Sequence, residues 1–131
     1  MKKFGLSQQE RIKQSKEIEK VFSAGKVFFV PSKRIRAIYL LTKDPSCSVK
    51  VAFAVSKRAG NAVWRNRVKR VLREAYRLNK TDIIEKAASS GKSALIVFSP
   101  GYLNQKKHKK IFFGDLVNDV KLVLLKVSEE F

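Results

Sequence analysis

The chain is 131 residues long and 44% hydrophobic, which suits one globular domain with a modest core. Its 29 Lys and Arg against 11 Asp and Glu give a formal net charge of +18, which favours nucleic acid, or less often an anionic membrane, as partner over a merely solvated surface. A single cysteine, Cys47, excludes an internal disulfide, and with His108 as the only histidine the chain lacks a Cys/His metal-ligand set.

The N-terminal part is predicted to be a lead-in followed by a short helix. Residues 1–14 are polar and basic, and we expect them to be extended and partly ordered. A helix is predicted from Ser15, as N-cap, to about Ala24, and Gly25 follows as a stop signal. Ile18, Val21 and Phe22 share one of its faces.

The next segment has the alternation of β-strands. Residues 34–41 form one predicted strand, and the preceding VFFV (27–30) is either an edge strand or a loop with aromatic side chains under the sheet. A turn at 43–48 leads to a second predicted strand, 49–56, antiparallel to the first in a meander. On it Ala52, Ala54 and Ser56 share a face of small side chains.

A long helix is predicted from Ala62 to about Leu78, with Asn61 as N-cap and Gly60 able to take a positive φ. One sector carries an apolar stripe: Trp64, Val68, Val71, Leu72 and Ala75. The opposite side is basic: Arg65, Lys69, Arg70, Arg73 and Arg77, with Asn66. The sequence therefore predicts a helix with one face packed on a core and one face of cations.

The C-terminal half is predicted to hold a buried strand and a last helix. Residues 82–90 are consistent with a short helix, and the apolar run 94–99 with a central strand buried on both faces. A basic loop follows at 101–110. The last helix is predicted from about Lys107 to Val127, with Gly114 as a weak point.

The basic stretch 56–77 is the strongest functional signal. It combines Lys57-Arg58, Gly60-Asn61, Arg65-Asn66-Arg67 and Lys69-Arg70, and Glu74 is its only acid. Pairing with acids at i,i+4 therefore cannot explain it as a solvated face. Arginine binds phosphates bidentately or stacks on bases, so the pattern indicates RNA.

This stretch resembles the signature of the bacterial ribonuclease P protein component family from Lys57 to Arg73. The resemblance extends to Val21-Phe22 with Gly25 and to the VAFAVSK strand at 51–57. It implies an α+β fold: a single α-β-β-β-α-β-α domain over 1–131, with a four-stranded mixed sheet and a left-handed β-α-β crossover. It also implies a protein subunit of a ribonucleoprotein endoribonuclease that removes 5′ leaders from precursor tRNA in the cytoplasm.

The resemblance also implies two binding surfaces. Contact with the catalytic RNA subunit would involve Arg65, Asn66, Arg67, Lys69, Arg70 and Arg73, with Lys57, Arg58, Gly60 and Asn61 at the edge nearer the substrate. The 5′ leader would occupy a cleft between the sheet and the first helix, with Phe22, Tyr39, Ile18, Ala52, Ala54 and Ser56. Core packing is the alternative for Ile18, Phe22 and Tyr39, and small residues under a helix for the rest.

The chemistry is expected from Mg²⁺ held mainly on the RNA subunit, with no dedicated protein metal site, no catalytic side chain and no activity of the protein alone. His108 lies in a lysine-rich loop, where a solvated role is expected. Asp115 and Asp119, at i,i+4, are either a metal site or a surface pair. An RNA-binding module without a part in cleavage and a protein-only nuclease stay open as alternatives.

Overall fold

A computed structural model describes residues 10–12, 15–43 and 46–131. Most of the predicted lead-in, and Asp44 and Pro45 of the predicted turn, lie outside the described residues. The helices and strands follow the order α1 (Ser15–Ala24), β1 (Lys26–Phe29), β2 (Ile35–Thr42), β3 (Val49–Phe53), α2 (Ala62–Asn79), α3 (Thr81–Ser90), β4 (Ser93–Pro100) and α4 (Phe113–Glu129). The predicted bounds of α1, β2 and α2 agree with these to within one residue. Residues 27–29 of the segment VFFV belong to an edge strand, and residues 82–90 to a helix.

The four strands form one mixed sheet in the order β1-β2-β4-β3. The predicted antiparallel meander of β2 and β3 is wrong, because β4 lies between them. β4 pairs antiparallel with β2, from Ile35↔Pro100 to Thr42↔Ser93, and parallel with β3. Its seven residues from Ser93 to Ser99 are buried, as expected for a central strand covered on both faces. The parallel pair β3 and β4 is joined through α2 and α3; the hand of this crossover stays a prediction.

Helices cover both faces of the sheet. The larger core lies between one face and α2, α3 and α4, where Ile35, Ala37, Tyr39, Ile96 and Phe98 contribute from the strands. The smaller core lies under α1 on the other face. Its strand residues are Ile38, Leu95 and Val97, which alternate with those of the larger core. α1 buries Val21 completely there.

Short backbone contacts fasten the N-terminal part to the sheet. The N–H of Ile12 donates to the carbonyl O of Val51 at 2.9 Å, and Ile12 is buried. Gly25 ends α1 where a Cβ would collide with the carbonyl oxygens of Val21 and Tyr39. Glycine is therefore required at the α1–β1 junction by close approach.

The last helix begins at Phe113 and not near Lys107. The preceding residues instead form turns: the N–H of His108 donates to the carbonyl O of Asn104, and the N–H of Lys107 to Asn104 Oδ1. Gly114 thus lies in the first turn of α4 and does not interrupt it. Among the described helices, none is long and apolar enough to cross a membrane.

Candidate nucleic-acid interface

Helix α2 is fixed by its cap and by its apolar face. Asn61 Oδ1 accepts a hydrogen bond of 2.9 Å from the N–H of Trp64, which confirms the predicted N-cap. Trp64, Val68, Leu72 and Ala75 are buried, as the stripe predicts, and so is Tyr76, which the stripe did not include. This packing sets the direction in which the opposite face points.

The basic face of α2 comprises Arg65, Asn66, Arg67, Lys69, Arg70 and Arg73. Asn66, Arg67, Arg70 and Arg73 are exposed, and Arg65 and Lys69 are partly exposed. Within the described part of the chain, none of its five cations forms an ion pair. Glu74 is bound instead to Arg77, which lowers the pKa of that carboxyl. The basic face therefore keeps its positive charge.

The residues before α2 form a single 3₁₀ turn, Lys57–Ala59. Ser56 Oγ accepts from the N–H of Arg58 at 3.2 Å and thereby caps this turn. The side chains of Lys57 and Arg58 are exposed. They continue the basic face of α2 toward the edge of the sheet.

Gly60 does not have the positive φ that the sequence suggested. Its φ is 173°, an extended value that any residue adopts. Glycine is needed there because a Cβ would lie 2.6 Å from Trp64 Cε3 and 2.8 Å from Gln105 Cβ. The constraint at Gly60 is space.

The lysine loop, residues 103–110, packs against this same turn. The N–H of Gln105 donates to the carbonyl O of Ala59 at 2.7 Å, and Gln105 Oε1 accepts from the N–H of Asn61 at 2.8 Å. A hollow of about 700 Å³ between the two segments is lined by Arg58, Ala59, Gly60, Asn104, Gln105, Lys106, Lys107 and Lys109. His108 is half-buried and its Nδ1 accepts from the N–H of Asn104 at 3.3 Å, so its ring is part of the loop and not merely solvated.

An aromatic groove of about 720 Å³ opens beside the turn, on the face of the sheet that carries α1. Three residues of the predicted leader cleft line it: Phe22, Ala54 and Ser56. Phe22 is 49% exposed, so it is not a core residue. Arg58 and Lys107 line both this groove and the hollow. The two predicted surfaces are therefore adjacent.

Tyr39 does not lie in the aromatic groove, and its assignment to the cleft is corrected. Its side chain belongs to the larger core, on the other face of the sheet from α1, and is 3% exposed. Tyr39 Oη donates to Glu130 Oε1 at 3.0 Å. Burial, followed by this hydrogen bond, raises the pKa of Tyr39 to about 12. Tyr39 is a core residue that anchors the end of α4.

Ile18 and Ala52 lie on the correct face of the sheet but outside the groove lining. Both are partly buried against the smaller core with Val21 and Ile38. Core packing, the favoured alternative for Ile18, therefore describes its position, and Ala52 is a small residue under α1.

A family model of ribonuclease P matches residues 6–112. A ribonuclease P protein component from Porphyromonas gingivalis is 40% identical over 101 residues, which are 73% of this chain and 72% of that protein. The chain belongs to the ribonuclease P protein family. The family's members are protein components of a ribonucleoprotein that acts in tRNA processing.

Solved structures of ribonuclease P proteins have the same fold. The protein from Staphylococcus aureus superposes with a TM-score of 0.66 at 22% identity, over 91% of this chain and 94% of that one. The protein from Thermotoga maritima has a TM-score of 0.68 at 21% identity, over 88% and 94%. The α+β architecture implied by the resemblance is confirmed.

The groove residues that were not predicted include Phe29, Arg36 and Tyr102. Phe29 and Arg36 are opposite each other in the register of β1 and β2, and their strand alternation places them on the α1 face. That alternation is readable in the sequence. The contribution of Tyr102 depends on the turn after β4, for which Pro100-Gly101 is the sole local signal.

Asp115 and Asp119, four residues apart in α4, lie in different environments. Asp119 is 2% exposed and accepts hydrogen bonds from Arg34 Nε at 2.9 Å and from Ser32 Oγ at 3.1 Å. Asp115 is exposed. They are therefore neither a metal site nor a surface pair. In the described ranges, no group of three or more His, Cys, Asp or Glu is placed to hold a metal.

Proposed function

We propose that this protein is the protein subunit of a ribonuclease P holoenzyme, which cleaves precursor tRNA endonucleolytically and releases its 5′ leader in the cytoplasm. The observation that carries the proposal is the family match, which includes the whole of α2 and the turn before it. Its partners are a catalytic RNA subunit and precursor tRNA.

The RNA subunit is assigned to the basic face of α2, with Lys57, Arg58, Gly60 and Asn61 at its edge. Helical spacing holds the guanidinium groups in a row, and the packing of Trp64 and Val68 prevents the helix from rolling. These cations form no ion pair with the described carboxylates. Binding of phosphate therefore breaks no ion pair in that part of the chain. Lys106, Lys107 and Lys109 extend the same positive surface.

The single-stranded 5′ leader is assigned to the aromatic groove. Its lining combines exposed aromatic rings with cations, which is the composition that binds single-stranded nucleic acid without strong sequence preference. The groove adjoins the edge of the RNA-subunit surface through Arg58. Binding the leader favours precursor over product, so that mature tRNA does not block the enzyme.

The chemistry is assigned to Mg²⁺ on the RNA subunit, with the protein inactive alone. Five carboxylates of the described chain are engaged by Lys or Arg. The protein would contribute by neutralising phosphate repulsion between the two RNAs and by holding the substrate.

The test is cleavage of precursor tRNA at low magnesium by the RNA subunit with and without the purified protein. Restored cleavage with the correct 5′ end supports the proposal. Binding of structured RNA without any promotion of cleavage would instead identify a binding module. Metal-dependent cleavage by the RNA-free protein would identify a protein-only nuclease.

A further inference from the structure

Two exposed aromatic side chains meet in the lining of the aromatic groove. The rings of Phe29 and Tyr102 are stacked, with centroids 6.0 Å apart and an interplanar angle of 26°. Phe29 is 41% exposed and Tyr102 is 62% exposed. Large aromatic surfaces left in water at a concave site are typical of binding positions and not of core packing.

The backbone holds this pair in place. Gly101 N–H donates to the carbonyl O of Arg34, and Tyr102 N–H to that of Lys33, both at 2.8 Å. A Cβ on Gly101 would lie 2.6 Å from Lys33 O and 3.2 Å from Phe29 Cε1, so the chain passes directly against the ring. The pair is thus positioned before any ligand arrives, which lowers the ordering cost of binding.

A half-buried cation, Arg36, lies in the same groove. Arg36 Nε donates to Ser99 Oγ at 3.1 Å, and no carboxylate of the described chain forms an ion pair with Arg36. Arg36 is partly buried, and among the described lining residues there is no Asp or Glu. A half-buried guanidinium in such surroundings favours an anion with oxygen acceptors.

We propose that Phe29, Tyr102 and Arg36 form a nucleotide subsite for single-stranded RNA, in which one base of the 5′ leader stacks on the Phe29–Tyr102 pair and an adjacent phosphate binds Arg36. The subsite rests on the proposed function and adds to it the residues that grip the leader. Stacking uses the π-face that every base has, so the subsite accepts any base.

The experiment uses holoenzyme assembled from the RNA subunit and the full-length protein, with 2-aminopurine placed at successive leader positions of precursor tRNA. Stacking on an aromatic ring quenches this base, so one position is expected to be quenched by wild type. Tyr102→Leu restores the fluorescence there and weakens precursor binding about 5- to 100-fold, while the affinity for mature tRNA is unchanged. Tyr102→Phe retains both properties, because it keeps the ring.

Phe112→Leu is the matched control, since Phe112 is 63% exposed but does not line the groove. Arg36→Gln should lower the slope of log affinity against log salt by about 0.7 for precursor and not for mature tRNA.

Unchanged quenching and unchanged precursor preference in Tyr102→Leu and Phe29→Leu would overturn the subsite and leave the proposed function standing. If the affinities for precursor and for mature tRNA fall equally, Phe29 and Tyr102 contact the RNA subunit or support the fold, and they do not bind the leader. If the wild-type protein does not promote cleavage of precursor tRNA by the RNA subunit, the proposed function itself is wrong.

Discussion

Trp64 Nε1 donates a hydrogen bond of 2.9 Å to the carbonyl O of His108. Trp64 lies in the first turn of α2 and is 2% exposed, so this bond joins the buried side of the helix to the lysine loop. The cations of the loop are thereby fixed relative to those of the basic face. A change at this junction should affect both surfaces at once.

Gly60→Ala is expected to destabilise the fold by about 1–3 kcal/mol, because its Cβ would overlap Trp64 and Gln105. The midpoint of urea unfolding measures the change. Gly114→Ala is the matched control: nothing lies within 4 Å of its added Cβ, and in a helix it should stabilise by up to about 1 kcal/mol. If Gly60→Ala has the unfolding midpoint of wild type, the lysine loop moves at little energetic cost to make room for the Cβ.

Replacing Arg65 and Arg67 together with Ala should weaken binding of the RNA subunit. It should also reduce the dependence of the affinity on salt, because each phosphate contact that is lost lowers the number of counterions released on binding by about one. Filter binding over a range of KCl concentrations gives the slope. Arg77→Ala serves as the comparison, because Arg77 is already bonded to Glu74 on the same helix. If the double variant and Arg77→Ala show the same slope, the basic face is not the contact.

Asp119→Asn should destabilise the protein by about 1.5–3 kcal/mol, because it weakens hydrogen bonds from Arg34 and Ser32 to a buried carboxylate. These bonds fasten the turn between β1 and β2 to α4. Chemical denaturation at neutral pH is the measurement. Asp115→Asn, at an exposed position of the same helix, should leave the unfolding midpoint within experimental error; a loss equal to that of Asp119→Asn would contradict the specific role of the buried carboxylate.

Acid should remove a stabilising contact at the C-terminal end of α4. Lys26, and then Tyr39, lower the pKa of Glu130. A carboxyl whose pKa is lower in the folded state stabilises above its unfolded pKa, about 4.3, and this stability is lost as pH falls through the folded value. Wild type should therefore exceed Glu130→Gln in unfolding free energy at pH 7, and the difference should shrink as the pH falls below the unfolded pKa. A difference that does not change with pH would be due to packing.

Local patterns were sufficient for α2 and for the faces of the strands. Asn61, the apolar stripe and the uninterrupted run of helix formers specify α2 without tertiary information. Strand alternation placed Ile35, Ala37 and Tyr39 on one face correctly. It could not tell which face α1 covers. Tyr39 was assigned to the cleft by the resemblance to the family, and alternation gave no means of correcting that assignment.

The order of strands and the groove depend on contacts between distant residues. β2 and β3 are neighbours along the chain, but β4 lies between them in the sheet, where its residues from Ser93 to Ser99 are all buried. Phe29 and Tyr102 meet only after β4 has entered the sheet beside β2. No local pattern in the sequence predicts the contact between Phe29 and Tyr102. The resemblance to a family did imply the cleft in which this contact lies.

The hydrogen bonds from Gly101 and Tyr102 to the β1–β2 turn, and from Gln105 to Ala59, fasten five consecutive residues at both ends. A segment held in this way has a fixed contour length. Substitution of Asn104 changes a side chain, but one inserted residue between Tyr102 and Gln105 would lengthen the connection and separate the ring of Tyr102 from that of Phe29. The spacing between these two anchor points is therefore a constraint on the chain in its own right, beside the identity of the residues between them.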